Sequence, residues 1–358
     1  KAGLIETVGS GEPRIDFNND AKGALLLEPT RSNLIPYSED MSNWAKGGFM
    51  NVVSNQIISP DGNLNADKLT SNSNGSNYAN INSTFAANNG VSSIFLKSGT
   101  LTQAMIYHGG SSKGVYVDLT NGEFLSFYSS GAGLTFLSEY YGNGWYRYSI
   151  SDTSTSTSAL EVYLAKNQQI TTSYTTNDYL YAWGGQYEQQ GSYATSYIPT
   201  SGSAVTRIAD RSSQTVPDGV IGQTEGIILF DYTPYNVSSS TSEDTIPLAI
   251  SNNGSISDSI YLNDYNGNLD LFIRAGGTVQ AQIQFSSLAD NQRFKLGIGY
   301  AVNNLVFYVN GVQIGIDTSL SLPTCNQIKL NGFTSNVHIN KINVNDVKLY
   351  NTRLSNAE

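Results

Sequence analysis

The residues best equipped for chemistry in this 358-residue chain are aromatic, with tyrosine alone occurring 23 times, more than a core demands. Sugars present C–H faces that stack on Tyr and Trp rings, while their hydroxyls bond to Asn, Gln, Asp and Arg. The segment Tyr140-Tyr-Gly-Asn-Gly-Trp-Tyr-Arg-Tyr148 gathers aromatic side chains around an Asn-Gly turn, which predicts an exposed ring at Tyr140 or Tyr141. Trp145 in the same segment and Trp44 nearer the start complete a first candidate sugar-stacking set, Trp44 being expected to cover one end of the fold. Tyr261, Tyr265 and Arg274 flank another turn and form a second. Replacing Tyr141 with Ala is expected to weaken binding without unfolding the chain. The competing reading for each tyrosine is an amphipathic partner across a strand pair. Trp145 and Trp183 also suit strand-core positions.

Catalytic groups are scarce. There are two histidines, His108 and His338, and no His-Glu-x-x-His, Gly-x-Ser-x-Gly or phosphate-cradling glycine loop. His108 precedes Gly109-Gly110 and is expected to be exposed at a strand end; His338 alternates with Val337 and Ile339 and is expected on a solvent face. Cys325 follows Pro323-Thr324 in an expected loop and makes a poor nucleophile. Glycoside hydrolysis needs two carboxylates about 5–10 Å apart. Glu39/Asp40 and Glu243/Asp244 are adjacent in sequence, which sends their side chains to opposite faces of a strand. No catalytic residue is assigned. Asp61-Gly-Asn-Leu-Asn-Ala-Asp67 and Asp264-Tyr-Asn-Gly-Asn-Leu-Asp270 place side-chain oxygens at alternate positions as calcium loops do, but neither has the closing glutamate, and a solvated turn is the simpler reading.

The elements that position these groups are strands. Asn-Gly, the pair favoured by tight hairpins because both residues must adopt positive φ, occurs eight times. Between the turns lie short β-branched and aromatic runs. Trp145-Tyr-Arg-Tyr-Ser-Ile150, Gly226-Ile-Ile-Leu-Phe-Asp-Tyr232, Lys295-Leu-Gly-Ile-Gly-Tyr300 and Leu305-Val-Phe-Tyr-Val309 are clear examples, and several alternate with period two. No window carries a long helical stripe. The fold class is all-β, read as two tandem antiparallel β-sandwiches of jelly-roll type. Net charge is −10, from 19 Lys and Arg against 29 Asp and Glu, which argues against nucleic acid and anionic membranes. One cysteine excludes an intrachain disulfide. No apolar run reaches the roughly 18–20 residues of a membrane span, so no membrane insertion is expected. The ends, at Lys1-Ala-Gly-Leu-Ile5 and Leu354-Ser-Asn-Ala-Glu358, read as those of an excerpt from a longer protein.

One stretch adds a resemblance. Tyr179-Leu-Tyr-Ala-Trp-Gly-Gly-Gln-Tyr187 runs as an aromatic strand into a polar segment through Pro199 to Asp210, and this wording resembles the joint of bacteriophage tail and head-fibre proteins and of some Bacteroidetes proteins. There a carbohydrate-binding-module-like sandwich is followed by a concanavalin-like, laminin-G-like one. Pro13-Arg-Ile-Asp-Phe17, Gly23-Ala-Leu-Leu-Leu27, Asn65-Ala-Asp-Lys-Leu69, Tyr116-Val-Asp-Leu-Thr-Asn-Gly-Glu123 and Gly144-Trp-Tyr-Arg-Tyr148 look like the first module; Phe307-Tyr-Val-Asn-Gly-Val-Gln-Ile-Gly315 and Leu349-Tyr-Asn-Thr-Arg353 look like the second. The resulting division is an entry segment 1–30 packing on the first sandwich, a first sandwich 31–198, a joint 199–216 and a second sandwich 217–358. The resemblance implies a non-catalytic adhesin or receptor-recognition region binding a polysaccharide or cell-surface glycan, extracellular or on a virion surface, with a homotrimer as the whole-protein assembly. A purely structural fibre module, or accessory domains of a secreted bacterial glycan-degrading enzyme, are the alternatives. It also implies one structural calcium in the first sandwich, held by Glu28, Asn33 and Glu188.

Overall fold

The computed structural model describes residues 5–9, 11–17, 20–86, 89–110, 112–129, 131, 133–152, 158–189, 191–235, 237, 245–333 and 340–354. His338, Glu243 and Asp244 lie outside the described residues. The chain is all-β: every strand pairing among the described residues is antiparallel, and the one helical element is the single turn Met41–Asn43, capped by Asp40, whose Oδ1 accepts from Ser42 N–H. No helix among the described residues is long and apolar enough to cross a membrane.

The chain divides into two compact units, residues 1–7 with 31–207 and residues 8–30 with 208–358. In the first unit one six-stranded sheet runs Phe124–Tyr128, Lys113–Asp118, Gln103–Gly109, Ala159–Ala165, Ala79–Thr84, Ala45–Gly48. The other runs Leu134–Tyr140, Trp145–Asp152, Gly90–Ser98, Tyr179–Gln189, Leu64–Ser71, Met50–Ile58. Alternation sets the shared core, with Ile106, Val115, Val162 and Leu164 from one sheet meeting Leu69, Ile94, Leu96 and Ile150 from the other.

The second unit pairs a six-stranded sheet with a seven-stranded one. The seven-stranded order is Ile15–Asp16, Ala24–Leu27, Ile342–Tyr350, Glu225–Pro234, Phe294–Ala301, Asn304–Val309, Val312–Asp317. Ile228, Phe230, Leu296, Ile298, Leu305 and Phe307 point from it into a core shared with Ile250, Ile260, Leu262, Leu271 and Ile273 of the six-stranded sheet. Three Asn-Gly pairs close two-residue hairpins here, joining Asn252 to Ser255, Tyr265 to Asn268 and Val309 to Val312, with φ of 47° and 77°, 49° and 77°, and 50° and 81°.

The expected entry segment is corrected. Residues 8–30 belong to the second unit, not the first, because the apolar run Ala24–Leu27 adds a strand beside Ile342–Tyr350, with Leu25 opposite Val344 and Leu27 opposite Ile342. Leu27 joins that unit's core, and Arg14 ties the segment down by pairing with buried Glu28 at 2.7 Å and with Asp210. The expected joint is also partly strand. Val205–Arg207 pairs with Arg31–Asn33 in the first unit, and Ser212–Thr215 pairs with Gln327–Leu330 in the second.

Candidate functional site

The strand Phe294–Ala301 reads Phe-Lys-Leu-Gly-Ile-Gly-Tyr-Ala, and its alternation decides the site. Phe294, Leu296, Ile298 and Tyr300 are buried in the core, which leaves Lys295, Gly297 and Gly299 on the outer face. Two glycines in succession on one face leave a trough in the middle of the sheet, and its walls follow from register. Gly297 lies between Leu229 and Tyr308, with Lys348 one strand beyond Leu229. Gly299 lies between Ile227 and Val306, with Tyr350 one strand beyond Ile227. The result is a groove of about 940 Å³ on the outer face of the seven-stranded sheet. That volume falls in the range of small-ligand sites.

The groove combines exposed apolar and aromatic surface with charge. Leu229 is 39% exposed and Tyr350 48%, both at positions where a globular surface carries polar side chains. Tyr308 Oη donates to Gln313 Oε1 at 3.2 Å, which leans its ring toward the neighbouring strand Val312–Asp317 and sets it as a wall beside the floor. One end carries charged pairs: Arg293 holds Asp231 through two bonds of 2.7 and 2.9 Å, and Lys348 Nζ lies 2.5 Å from Asp346. At the other end Arg353 donates to Asn304 Oδ1 at 2.9 Å. A Cβ at Gly299 would stand 3.0 Å from Val306 and 3.3 Å from Arg353 Nε, whereas one at Gly297 would touch nothing closer than 3.6 Å. Gly299 therefore makes room for Arg353, and Gly297 forms open floor.

The residues singled out from sequence are not brought together. Trp44 is buried, its indole N–H donating to Tyr37 O at 2.7 Å and its ring occupying space where a Cβ on Gly185 would come within 2.6 Å. Trp145 is buried beside Phe95 and Trp183, its N–H bonded to Ile58 O at 3.0 Å. Neither indole offers a face to a sugar. Tyr141 is half-buried, edge-on to Phe95 with ring centroids 4.9 Å apart. Its replacement by Ala would therefore remove a packing contact as well as an aromatic ring. Tyr140 stands 60% exposed, its ring 5.0 Å from that of Tyr146. In the second unit Tyr261 is buried under a stack with Phe272 at 5.1 Å and 14°. Tyr265 is exposed at one end of its hairpin, while Arg274 sits at the other end bonded to Gly277 O at 2.9 Å. No second patch forms from these three.

The residues expected to hold calcium do not fit it. Asn33 is fully enclosed: its Oδ1 accepts from Ile35 N and Tyr187 N at 3.1 Å each, and its Nδ2 donates to Gly185 O and Ile198 O. Both oxygens of buried Glu188 accept from protein donors, Oε1 from Gln186 Nε2 and Thr195 N, Oε2 from Thr195 Oγ1. Glu28 is paired with Arg14 and belongs to the other unit. These oxygens are occupied by backbone and side-chain donors of the protein itself. Neither calcium-like loop assembles as one: Asp67 accepts from Met41 N and Asn55 N, and Asp270 from Gln282 and Gln284. Among the described residues no group of three or more His, Cys, Asp and Glu side chains converges as a metal set.

Candidate catalytic groups are dispersed. His108 is buried rather than exposed, and burial lowers its pKa to about 4, keeping the imidazole neutral. Cys325 is buried and its thiol is pushed up to about 12, far from the thiolate a nucleophile needs. Glu39 accepts from the Tyr197 hydroxyl at 3.2 Å while Asp40 caps a helical turn.

Against known proteins, the chain matches no family model and no curated protein. Among solved structures it is similar to the binding domain of botulinum neurotoxin serotype D, at 14% identity over 41% of this chain and 38% of that one, with a TM-score of 0.35. It is also similar to the receptor-binding domain of botulinum neurotoxin type G, at 12% identity over 41% and 44%, with a TM-score of 0.32. The chain thus covers less than half the length of either, and likeness at this level carries no argument about the site.

Proposed function

We propose that this chain is a non-catalytic glycan-binding region and that the groove over Gly297 takes an extended polysaccharide. One observation carries the reading: two outward glycines lower the middle of a sheet whose flanking strands raise Leu229, Tyr308 and Tyr350 on either side. A sugar ring needs a flat apolar floor to lie on and an aromatic wall to stack against. Its hydroxyls need charged partners at the margins, which Lys295, Lys348, Arg353 and Asp231 supply. The groove is open rather than enclosed by the described residues that line it, which suits a chain segment better than a small molecule.

In this reading each groove binds weakly, and copies displayed together supply the avidity. That agrees with the resemblance to phage-type fibres and adhesins and with an extracellular or virion-surface setting. The test is a binding screen of the folded chain against a polysaccharide panel by affinity electrophoresis and glycan array. Retardation by at least one polysaccharide supports the proposal. A uniform absence of binding by a folded, monodisperse sample, especially one that sediments as a trimer, would transfer the assignment to a structural fibre module.

A further inference from the structure

A second, smaller cavity of about 130 Å³ opens on the second unit, lined by Asp16, Asp20, Thr233, Asn291, Asn343 and Asn345 together with Ala24 and Arg293. Its polar side chains come from four places, one of them the segment before Phe294 that carries Asn291 and Arg293. Asp16 and Asp20 are in the N-terminal segment, Asn343 and Asn345 in the strand Ile342–Tyr350, and Thr233 in the strand between that one and Phe294–Ala301. The side-chain amides are held by their nitrogens: Asn343 Nδ2 donates to Asp16 Oδ2 at 2.9 Å, and Asn345 Nδ2 donates to Asp20 Oδ2 at 3.0 Å. Their oxygens are then left over. Asn343 Oδ1 and Asn345 Oδ1 are both buried with no hydrogen-bond partner, and Asn343 as a whole is only 3% exposed.

A buried carbonyl oxygen without a donor is costly, on the order of 1–3 kcal/mol, and two in one cavity call for an electrophile. The one guanidinium at the site is already committed. Arg293 gives one nitrogen to Asp20 at 3.0 Å and two others to Asp231, and Lys22 N donates to Asp20 Oδ1. Asp16 and Asp20 against the one guanidinium of Arg293 leave one net negative charge among the lining residues. All the liganding atoms on offer are oxygens, two from carboxylates and the rest from amides and a hydroxyl.

The geometry points to a divalent-cation site at this cavity, of calcium type, with Asp16, Asp20, Asn343 and Asn345 as the core ligands. Hard oxygen donors of mixed charge and irregular arrangement suit calcium, which accepts six to eight ligands; magnesium demands a near-octahedral set. The site is separate from the residues implied by the fibre resemblance and does not depend on the glycan reading. Sequence spacing conceals it, since its ligands are separated by more than 300 positions. Asn345 projects there because the ladder shifts register between Asp231 and Tyr232, making it the extra residue of a bulge.

The test uses terbium as a calcium surrogate on the full chain after chelator treatment. Tyr235, whose hydroxyl lies 3.4 Å from Asn343 Nδ2, is placed to sensitise the ion's luminescence. The expected result is saturable luminescence at one ion per chain, displaced by calcium. Affinity should fall at least tenfold in Asp16→Asn, and likewise in Asn345→Ala, a half-buried position that serves if the first variant misfolds. Folded wild-type chain with no saturable signal would overturn the proposal and leave the two amide oxygens to ordered water. Unchanged affinity in both variants would overturn it equally, by placing the ion elsewhere.

Discussion

Gly297→Leu tests the groove without disturbing the sheet beneath it. The position is in an extended strand with an ordinary φ, and a Cβ there would meet Tyr308 Cβ at 3.6 Å and Leu229 Cδ2 at 3.8 Å, both normal packing distances. The new side chain must therefore rise into the groove. Removing a strand-interior glycine reduces unfolded-state freedom by roughly 0.5–1 kcal/mol, so stability should hold or increase, with Tm rising by about 2–4 °C at most. Binding should move the other way. A leucine on the floor lifts a sugar ring away from Tyr308 and out of reach of Tyr350. Two aromatic contacts at about 1 kcal/mol each correspond to a loss of about 30-fold in affinity. Affinity electrophoresis against the polysaccharide found in the screen reads the binding, and urea unfolding reads the fold. Wild-type affinity in a folded Gly297→Leu chain would refute the groove as the site.

Asp264 is buried, and desolvation, helped by nearby Asp290, raises its pKa from 3.8 to about 7. Between those values the folded state keeps a proton that the unfolded chain releases, so this group's contribution to stability is lost as pH rises from about 4 to about 7. Asp264→Asn should gain on wild type across that window by at most on the order of 4 kcal/mol, measured by denaturant unfolding at a series of pH values; a pH-independent difference would count against it. Tyr141→Ala should cost about 1–3 kcal/mol through its contact with Phe95, while exposed Tyr140→Ala should stay within about 0.5 kcal/mol; equal costs in urea melts would contradict these placements. Arg14→Ala removes a charged partner of fully buried Glu28 and should cost about 1–3 kcal/mol, a claim that unchanged thermal unfolding at pH 7 would defeat.

The all-β class was legible because alternation and Asn-Gly turns are local signals, and the hairpins at Asn253, Asn266 and Asn310 close where the sequence places them. What sequence concealed was every decision made by a neighbour distant along the chain. Ala24–Leu27 reads as an apolar run, but only the open edge beside Ile342–Tyr350 determines which unit it joins. Trp44 is claimed by Gly185, which sits 141 positions later at a register shift between Trp183 and Gln186. Aromatic content directed attention to Trp145 and Tyr261, yet the large rings were needed for packing. The groove had one readable trace, glycines at alternate positions 297 and 299 beside Lys295. Its walls come from Leu229, Tyr308 and Tyr350, which only strand order brings alongside.

The central claim is that a glycan lies over Gly297, and hydroxyl-radical footprinting of the chain with and without its bound polysaccharide tests it directly. Protection of Tyr308, Tyr350 and Leu229, with Tyr140 and Tyr265 unchanged, is the predicted pattern. Protection concentrated at Tyr140 or Tyr265 with the groove residues fully reactive would contradict it.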